Sequence, residues 1–322
     1  METGTLPFTR ALVTGGAGFL GSHLCEQLLR GGAEVVCADN FVTSSHSNIA
    51  HLTRFPGFEL IEHDVTEPLP LSSDCDLVLH LASAASPPDY FRLPIETLRA
   101  GSLGTANALD FAAICGARFL LASTSEVYGD PQENPQRETY WGHVNPIGPR
   151  SVYDEAKRYA EALVSAYRRA RGANTAIARI FNTYGPRMRP DDGRMVPAFV
   201  GQALAGEPMT VTGSGKQTRS LCYVDDTIRG LISLAASDHP GPVNIGNPQE
   251  LPVEHIAEEI RSLTRSDSAI THIDAATDDP QRRCPDISLA RTALDWQPEV
   301  SLADGLERTV GWFARQLTGD PR

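Results

Sequence analysis

Tyr153 and Lys157 stand four residues apart in "YDEAK", the spacing that places two side chains on one face of a helix. A phenol has an ordinary pKa of about 10, and a neighbouring ammonium lowers it, so Lys157 would leave Tyr153 as a base poised near neutral pH. Taken alone, the pattern also occurs in ordinary surface helices. A second group gives it a context. In "ARFLLASTSEVYGD", Glu126 follows an apolar run that reads as a core strand, with Thr124 and Ser125 just before it. A carboxylate is costly to bury without a partner, so its place at that strand end needs a reason.

A third group is "TGGAGFLG", in which Gly15, Gly18 and Gly21 follow one strand and open a helix. Glycines let backbone approach a pyrophosphate, whose charge the helix amino terminus then stabilises. The next strand ends at Asp39, 18 residues beyond Gly21, where a carboxylate can accept both hydroxyls of an adenosine ribose. An acidic side chain there repels a 2'-phosphate, so the expected cofactor is NAD rather than NADP. Asp64, closing the third strand, is placed for an adenine contact. The residues beside these points are expected to line the same cofactor site: Phe19 and Leu20 in the loop, Asn40, Val65, and Leu81 and Ala82 after the fourth strand.

The elements that must hold these groups alternate along the chain. Strand-like "ALVT", "AEVVCAD", "FELIEHDV", "DLVLHLA", "RFLLAST" and "NTAIARI" are separated by helical stretches, including Ile95 to Cys115 and Tyr153 to Arg171. Such alternation predicts an α/β fold, a doubly wound parallel sheet of Rossmann type with ligands beyond the carboxyl ends of its strands. After about residue 182 Pro and Gly become frequent, and short strands such as "MTVTG" and "PVNIG" mix with helices such as "VEHIAEEIRSLT". The expected division is an NAD-binding domain over 1–182, carrying Tyr153 and Lys157, and a smaller α/β substrate lobe over 183–322.

Composition narrows the partners. Among 322 residues the formal charge is -12, which argues against nucleic acid or an anionic membrane surface. No apolar run reaches the length of a membrane span and no signal peptide is evident, so the expected compartment is the cytoplasm. The six cysteines form no CxxC pair and no histidine cluster has metal spacing, so reduced thiols and no metal are expected.

Taken together, the residues resemble the extended short-chain dehydrogenases that modify nucleotide sugars, and among them the UDP-glucuronic acid decarboxylases. The likeness runs through "TGGAGFLGSHL", "HDVTEPL", "LLASTSEVYGDP", "YWGHVNPIGPRSVYDEAKR", "ARIFNTYGPRM", "DDGR", "QALAGEP", "GSGKQTRSLCYV", "NIGNP" and "DDPQRRCPDI". It implies oxidation at C4 of UDP-glucuronate with Tyr153 taking the hydroxyl proton, loss of carbon dioxide, protonation at C5, and re-reduction to UDP-xylose. It also implies a homodimer through the helices containing Arg99 and Tyr153.

By the same resemblance Glu126 acts at C5, ordering a water or orienting the sugar, with Thr124 and Ser125 lining the pocket. In related 4,6-dehydratases an aspartate stands at the place of Ser125 and protonates the leaving hydroxyl, so this chain lacks the acid for dehydration. Arg283 is carried over to the sugar end of the site, and Asn182 to the diphosphate. Arg187, Arg194 and Arg219 are the further cations expected near the UDP group, with Tyr90 and Tyr223 also on the substrate side. The chain departs from the decarboxylase pattern at Arg99-Ala100-Gly101, where Lys-Thr-Asn is usual, and at Pro197-Ala198. The competing readings are a UDP-glucuronate 4-epimerase and a non-catalytic NAD-binding sensor.

Overall fold

The computed structural model describes residues 6–71, 74–274 and 282–318. The opening residues of the "DDPQRRCPDI" motif, 278–281, lie outside them. The expected parallel sheet is present with seven strands: β1 (Arg10–Thr14), β2 (Glu34–Asp39), β3 (Phe58–Glu62), β4 (Leu77–His80), β5 (Arg118–Thr124), β6 (Thr175–Ile180) and β7 (Val243–Ile245). Their order is β7-β6-β5-β4-β1-β2-β3, and every pairing is parallel.

The two-residue period of a strand divides the core. Leu12, Val36, Val78 and Phe119 face one way, against Leu109, Ala160 and Val164 of the helices Thr105–Cys115 and Ser151–Arg171. Ala11, Val13, Val35 and Leu77 face the other way, against Leu24 and Leu28 of the Phe19–Arg30 helix. Because strand order reverses between β1 and β4, the chain parts there and opens a crevice beyond the carboxyl ends. Thr14, Asp39, His80 and Thr124 are the last residues of the strands beside it.

The sheet does not stop at the expected boundary near residue 182. β7 comes from the second half, fully buried, and joins β6 through the register Val243 with Ala178. The Val224–Ala236 helix packs on the Phe19–Arg30 helix, and both belong to one apolar cluster with Ile228, Leu231 and Trp296. The rest of the second half, among the described residues, forms three short strand pairs and further helices.

The long helical stretch expected from Ile95 to Cys115 is interrupted. It runs as an α-helix over Pro94–Arg99, a π turn over Ala100–Gly104 and an α-helix over Thr105–Cys115. At Gly101 the Ser151–Arg171 helix comes so close that a Cβ would lie 2.7 Å from that of Ala156. This close crossing seats the helix that carries Tyr153 and Lys157.

Candidate active site

A cleft of about 800 Å³ opens along the carboxyl ends of the strands. Its inner wall begins at the glycine loop. Gly15 has φ of +69°, and a Cβ on it would sit 2.8 Å from the Ala82 nitrogen. A Cβ on Gly21 would lie 2.1 Å from the Gly15 carbonyl oxygen, so loop and helix close only with glycine at both places. The helix that follows has Gly18 as its cap, no side-chain cap bond and no acidic residue in its first turn. Its first backbone N–H groups are therefore available to an anion, which fits a pyrophosphate.

Asp39 is buried at the end of β2 and lines the cleft. Its carboxylate accepts from the Ala17 N–H at 2.9 Å, the Phe41 N–H at 2.9 Å and the Ser44 hydroxyl at 2.7 Å. A carboxylate takes about four such bonds, so capacity remains for a ribose hydroxyl. Asp64 accepts from the Thr66 N–H at 2.9 Å and its hydroxyl at 2.8 Å. Burial would raise its pKa, but these bonds and the Asn40 amide outweigh that and hold it low. Phe19, Leu20, Asn40, Val65, Leu81 and Ala82 also line the cleft.

The opposite wall carries the groups expected to react. Thr124 ends β5 and caps the next turn, its hydroxyl accepting from the Glu126 N–H at 3.2 Å. That turn directs Glu126 inward, where Arg283 donates to Oε1 and Arg150 donates to Oε2 at 2.8 Å. Burial would raise the Glu126 pKa, but Arg283 and then Arg150 reverse the effect and keep it an anion. Arg283 donates as well to the Ser125 hydroxyl at 3.3 Å and the Gly129 carbonyl at 2.9 Å.

Arg283 reaches Glu126 because its segment is tied down. The Gln136 side chain accepts from the Cys284 N–H at 2.8 Å, and the Gln136 N–H donates to the Cys284 carbonyl at 2.8 Å. The Asn244 side chain, on β7, donates to the carbonyls of Gln136 and Asp286, both at 3.0 Å.

Tyr153 is buried beside Glu126, and Tyr90 stacks on it. Burial raises the Tyr153 phenol to about 12, where a hydrogen bond with Thr124 lowers it and the Glu126 charge raises it further. Lys157, expected to lower it, is not among the groups that shift it in this structure. The Lys157 ammonium donates to the Ala122 carbonyl at 2.8 Å and lies 5.9 Å from the Tyr153 ring centre. Its own pKa falls to about 8 because it is buried.

The substrate-side residues divide. Tyr90, Asn182, Arg187, Arg194, Arg219 and Arg283 line the cleft. Within it Arg187 is paired with Glu26 of the Phe19–Arg30 helix, and Arg194 with Asp192. Arg219 donates to the Thr218 carbonyl at 2.9 Å. Tyr223 does not itself line the cleft but packs on Tyr184, which does. Its ring is buried edge-on to Tyr184, with the Arg308 guanidinium 5.6 Å from its centre.

Three residues unanticipated from the sequence belong to this region. Arg150 clamps Glu126 and lines the cleft. Arg189 bridges the Thr43 carbonyl and Asp89, each at 2.8 Å, across the cleft. Asp154 is buried, with Oδ1 unpartnered among the described residues and a pKa raised by burial, and next by the Glu126 charge, to about 7. Only Arg150 carried a local signal, a cation one helical turn before Tyr153. Among the described residues no group of three or more His, Cys, Asp or Glu could hold a metal ion, and no helix is long and apolar enough to cross a membrane.

A doubly wound sheet whose glycine loop and Tyr153-Lys157 pair line one cleft at the strand ends defines an extended short-chain dehydrogenase. Residues 11–246 match the NAD dependent epimerase/dehydratase family, and the chain belongs to it. It is 52% identical over 308 residues to "UDP-glucuronic acid decarboxylase 1" of Danio rerio, covering 96% of this chain and 73% of that one. It is 51% identical over 311 residues to the protein of that name in Arabidopsis thaliana, covering 97% and 71%. Among solved structures, a UDP-glucuronic acid 4-epimerase variant from Bacillus cereus, in complex with a fluorinated UDP-glucuronic acid and NAD, superposes with a TM-score of 0.84. It is 29% identical, with 96% of this chain and 100% of that chain covered. The epimerase Mth375 of Methanothermobacter thermautotrophicus has a TM-score of 0.90 at 28% identity, covering 96% and 93%.

Proposed function

We propose that this protein decarboxylates UDP-glucuronate to UDP-xylose, using bound NAD and passing through a UDP-4-keto intermediate. The observation that carries the reading is Glu126, held as an anion by two guanidinium groups beside Tyr153, with serine rather than an acid at 125. That arrangement handles a proton at C5 and provides no acid to expel a hydroxyl. The decarboxylase relatives, at 52% and 51% identity, support it.

When bound, NAD accepts a hydride and later returns it, and its cationic ring lowers the pKa of a nearby phenol. Tyr153 takes the proton of the sugar 4-hydroxyl as C4 becomes a ketone, with the Thr124 hydroxyl supporting the phenolate and Lys157 supporting the ribose. The C6 carboxylate is then β to a carbonyl. The C5–C6 bond breaks, carbon dioxide leaves, and its bonding electrons form an enolate over C5, C4 and O4. Glu126 orders the water that delivers a solvent proton to C5. Tyr153 returns its proton to O4 as the alcohol re-forms, so the cofactor ends as it began.

In this reading residues 1–182 supply the NAD side and 183–322 mainly the nucleotide-sugar side. Asn182, Arg187, Arg194 and Arg219 hold the diphosphate, Arg187 and Arg194 while paired through other nitrogens with Glu26 and Asp192. Guanidinium groups suit such contacts because their paired N–H bonds match phosphate oxygens. The proposed assembly is a homodimer. Ile95, Leu98 and Leu103, with Tyr159 on the adjoining Ser151–Arg171 helix, form an exposed apolar face that supports it. The proposed compartment is the cytoplasm, in keeping with six free cysteines.

The test is incubation of the purified protein with UDP-glucuronate and NAD, with products identified by mass and NMR. UDP-xylose is expected. UDP-galacturonate identifies an epimerase instead, and unaltered sugar a non-catalytic NAD-binding protein.

A further inference from the structure

Arg150 occupies the position just before the Ser151–Arg171 helix, and its carbonyl accepts from the N–H of Tyr153 at 3.1 Å and of Asp154 at 3.2 Å. Its backbone thus starts the turn that presents Tyr153, while its side chain reaches across to Glu126. The pair is withdrawn from water, with side-chain exposures of 16% for Arg150 and 17% for Glu126. Arg283, only 3% exposed, holds the other carboxylate oxygen.

Two cations therefore face the Glu126 carboxylate in a desolvated pocket, with the Asp154 carboxyl, raised to about 7, as the further acidic group near them. A uronate brings a second carboxylate. With that group drawing on Arg283, Glu126 retains a full counter-charge only if Arg150 stays in place. Burial of an unpaired carboxylate is costly, and the group then protonates or moves away.

Resting on the decarboxylase reading, we propose that Arg150 is a positioning residue that keeps Glu126 in place while the substrate carboxylate occupies Arg283, so that Glu126 is already seated when that carboxylate leaves as carbon dioxide, and thereby decides the fate of the decarboxylated ketone. With Arg150 in place, C5 receives its proton on a held sugar and C4 is re-reduced, giving UDP-xylose. Without it, Glu126 no longer orders the water or retains the sugar. The enolate takes its proton from bulk solvent, and UDP-4-ketopentose leaves with the two electrons still on the cofactor. One reduced cofactor then remains for each ketopentose released.

The experiment compares the wild type with Arg150→Met, Arg150→Lys, Glu126→Gln and the Glu126→Gln/Arg150→Met double variant, all supplied with UDP-glucuronate and NAD. Both UDP-pentoses are quantified by NMR and the reduced cofactor by absorbance. For Arg150→Met, kcat is expected to fall on the order of tenfold to a hundredfold, as loss of a charge-assisted hydrogen bond predicts. The ratio of ketopentose to xylose should rise severalfold, with matching reduced cofactor. Arg150→Lys should recover part of the wild-type ratio, and the double variant should behave as Glu126→Gln alone.

A wild-type product ratio in Arg150→Met, whatever its rate, overturns the proposal. So do effects of the two substitutions that multiply. If Arg150→Met does not fold, Arg150→Gln, which keeps a donor without the charge, is read by the same criteria. Wild-type protein that makes no UDP-xylose counts against the decarboxylase reading itself; wild-type UDP-xylose with an unchanged variant ratio counts against Arg150 alone.

Discussion

Tyr90 lies flat on Tyr153, the ring centres 5.4 Å apart and the planes within 8° of parallel. The contact fixes the tilt of the Tyr153 ring and so, under the proposed function, the direction from which a sugar hydroxyl meets its oxygen. The Tyr90 hydroxyl is buried in the cleft wall, without a hydrogen-bond partner among the described residues. An unmet donor in such a place costs stability that a ligand can recover. Tyr90→Phe is therefore expected to leave the melting temperature unchanged or higher while raising KM for UDP-glucuronate about tenfold, the worth of one hydrogen bond. Thermal melts and steady-state kinetics check both, and an unchanged KM removes Tyr90 from the substrate contacts.

Tyr153→Phe keeps the ring and its stacking but removes the proton acceptor. Turnover should fall on the order of a hundredfold to ten-thousandfold, the range for loss of a general acid-base group. NAD binding, measured by calorimetry, should persist. Turnover near the wild-type level would reject the role given to Tyr153.

Asp154 makes a prediction about pH. Its pKa is raised from 3.8 to about 7 in the folded chain, by burial first and by the Glu126 charge next. The folded state therefore holds a proton that the unfolded chain has released, and this contribution, complete below about pH 4, is lost as pH rises through about 7. Asp154→Asn removes the buried charge. It should stabilise the protein by at least about 1 kcal/mol above pH 7 relative to wild type, with the advantage vanishing below pH 4. Urea melts across that range decide it.

The pairing of Arg187 with Glu26 gives the opposite slope. Burial would raise the Glu26 pKa, but Arg187 and Arg30 hold it at about 2 against an ordinary 4.5. Its contribution is full above 4.5 and is lost as pH falls toward 2. Glu26→Gln should cost about 1–3 kcal/mol at pH 7, since it leaves Arg187 without its counter-ion. The gap between wild type and variant should narrow on acidification, and a constant gap would contradict the ion-pair account.

How much of this was legible in the sequence follows from range. The glycine loop, Asp39 and the Tyr153-Lys157 pair are set by local spacing, so a strand end or one helical turn fixes their geometry. Glu126 could be recognised as a buried carboxylate, but its partners lie 24 and 157 residues away and only folding brings them in. The Gln136 and Asn244 bonds that seat Arg283 have no periodic signature. The π turn at Ala100–Gly104 has none either, because it answers the approach of another helix at Ala156. Tyr223 likewise has no local signature for its packing: its ring lies edge-on to Tyr184, which lines the cleft. Spacing also shows the Lys157 ammonium near Tyr153 and hides the burial and the Glu126 charge that raise the phenol.

The most direct test of the central claim follows the carboxyl carbon. UDP-glucuronate labelled at C6 is incubated with the protein and NAD, and labelled carbon dioxide is measured against sugar consumed. The account predicts one labelled carbon dioxide for each UDP-xylose formed, with no lasting change in the cofactor. Consumption of the substrate with the label retained in a six-carbon UDP-sugar would contradict it.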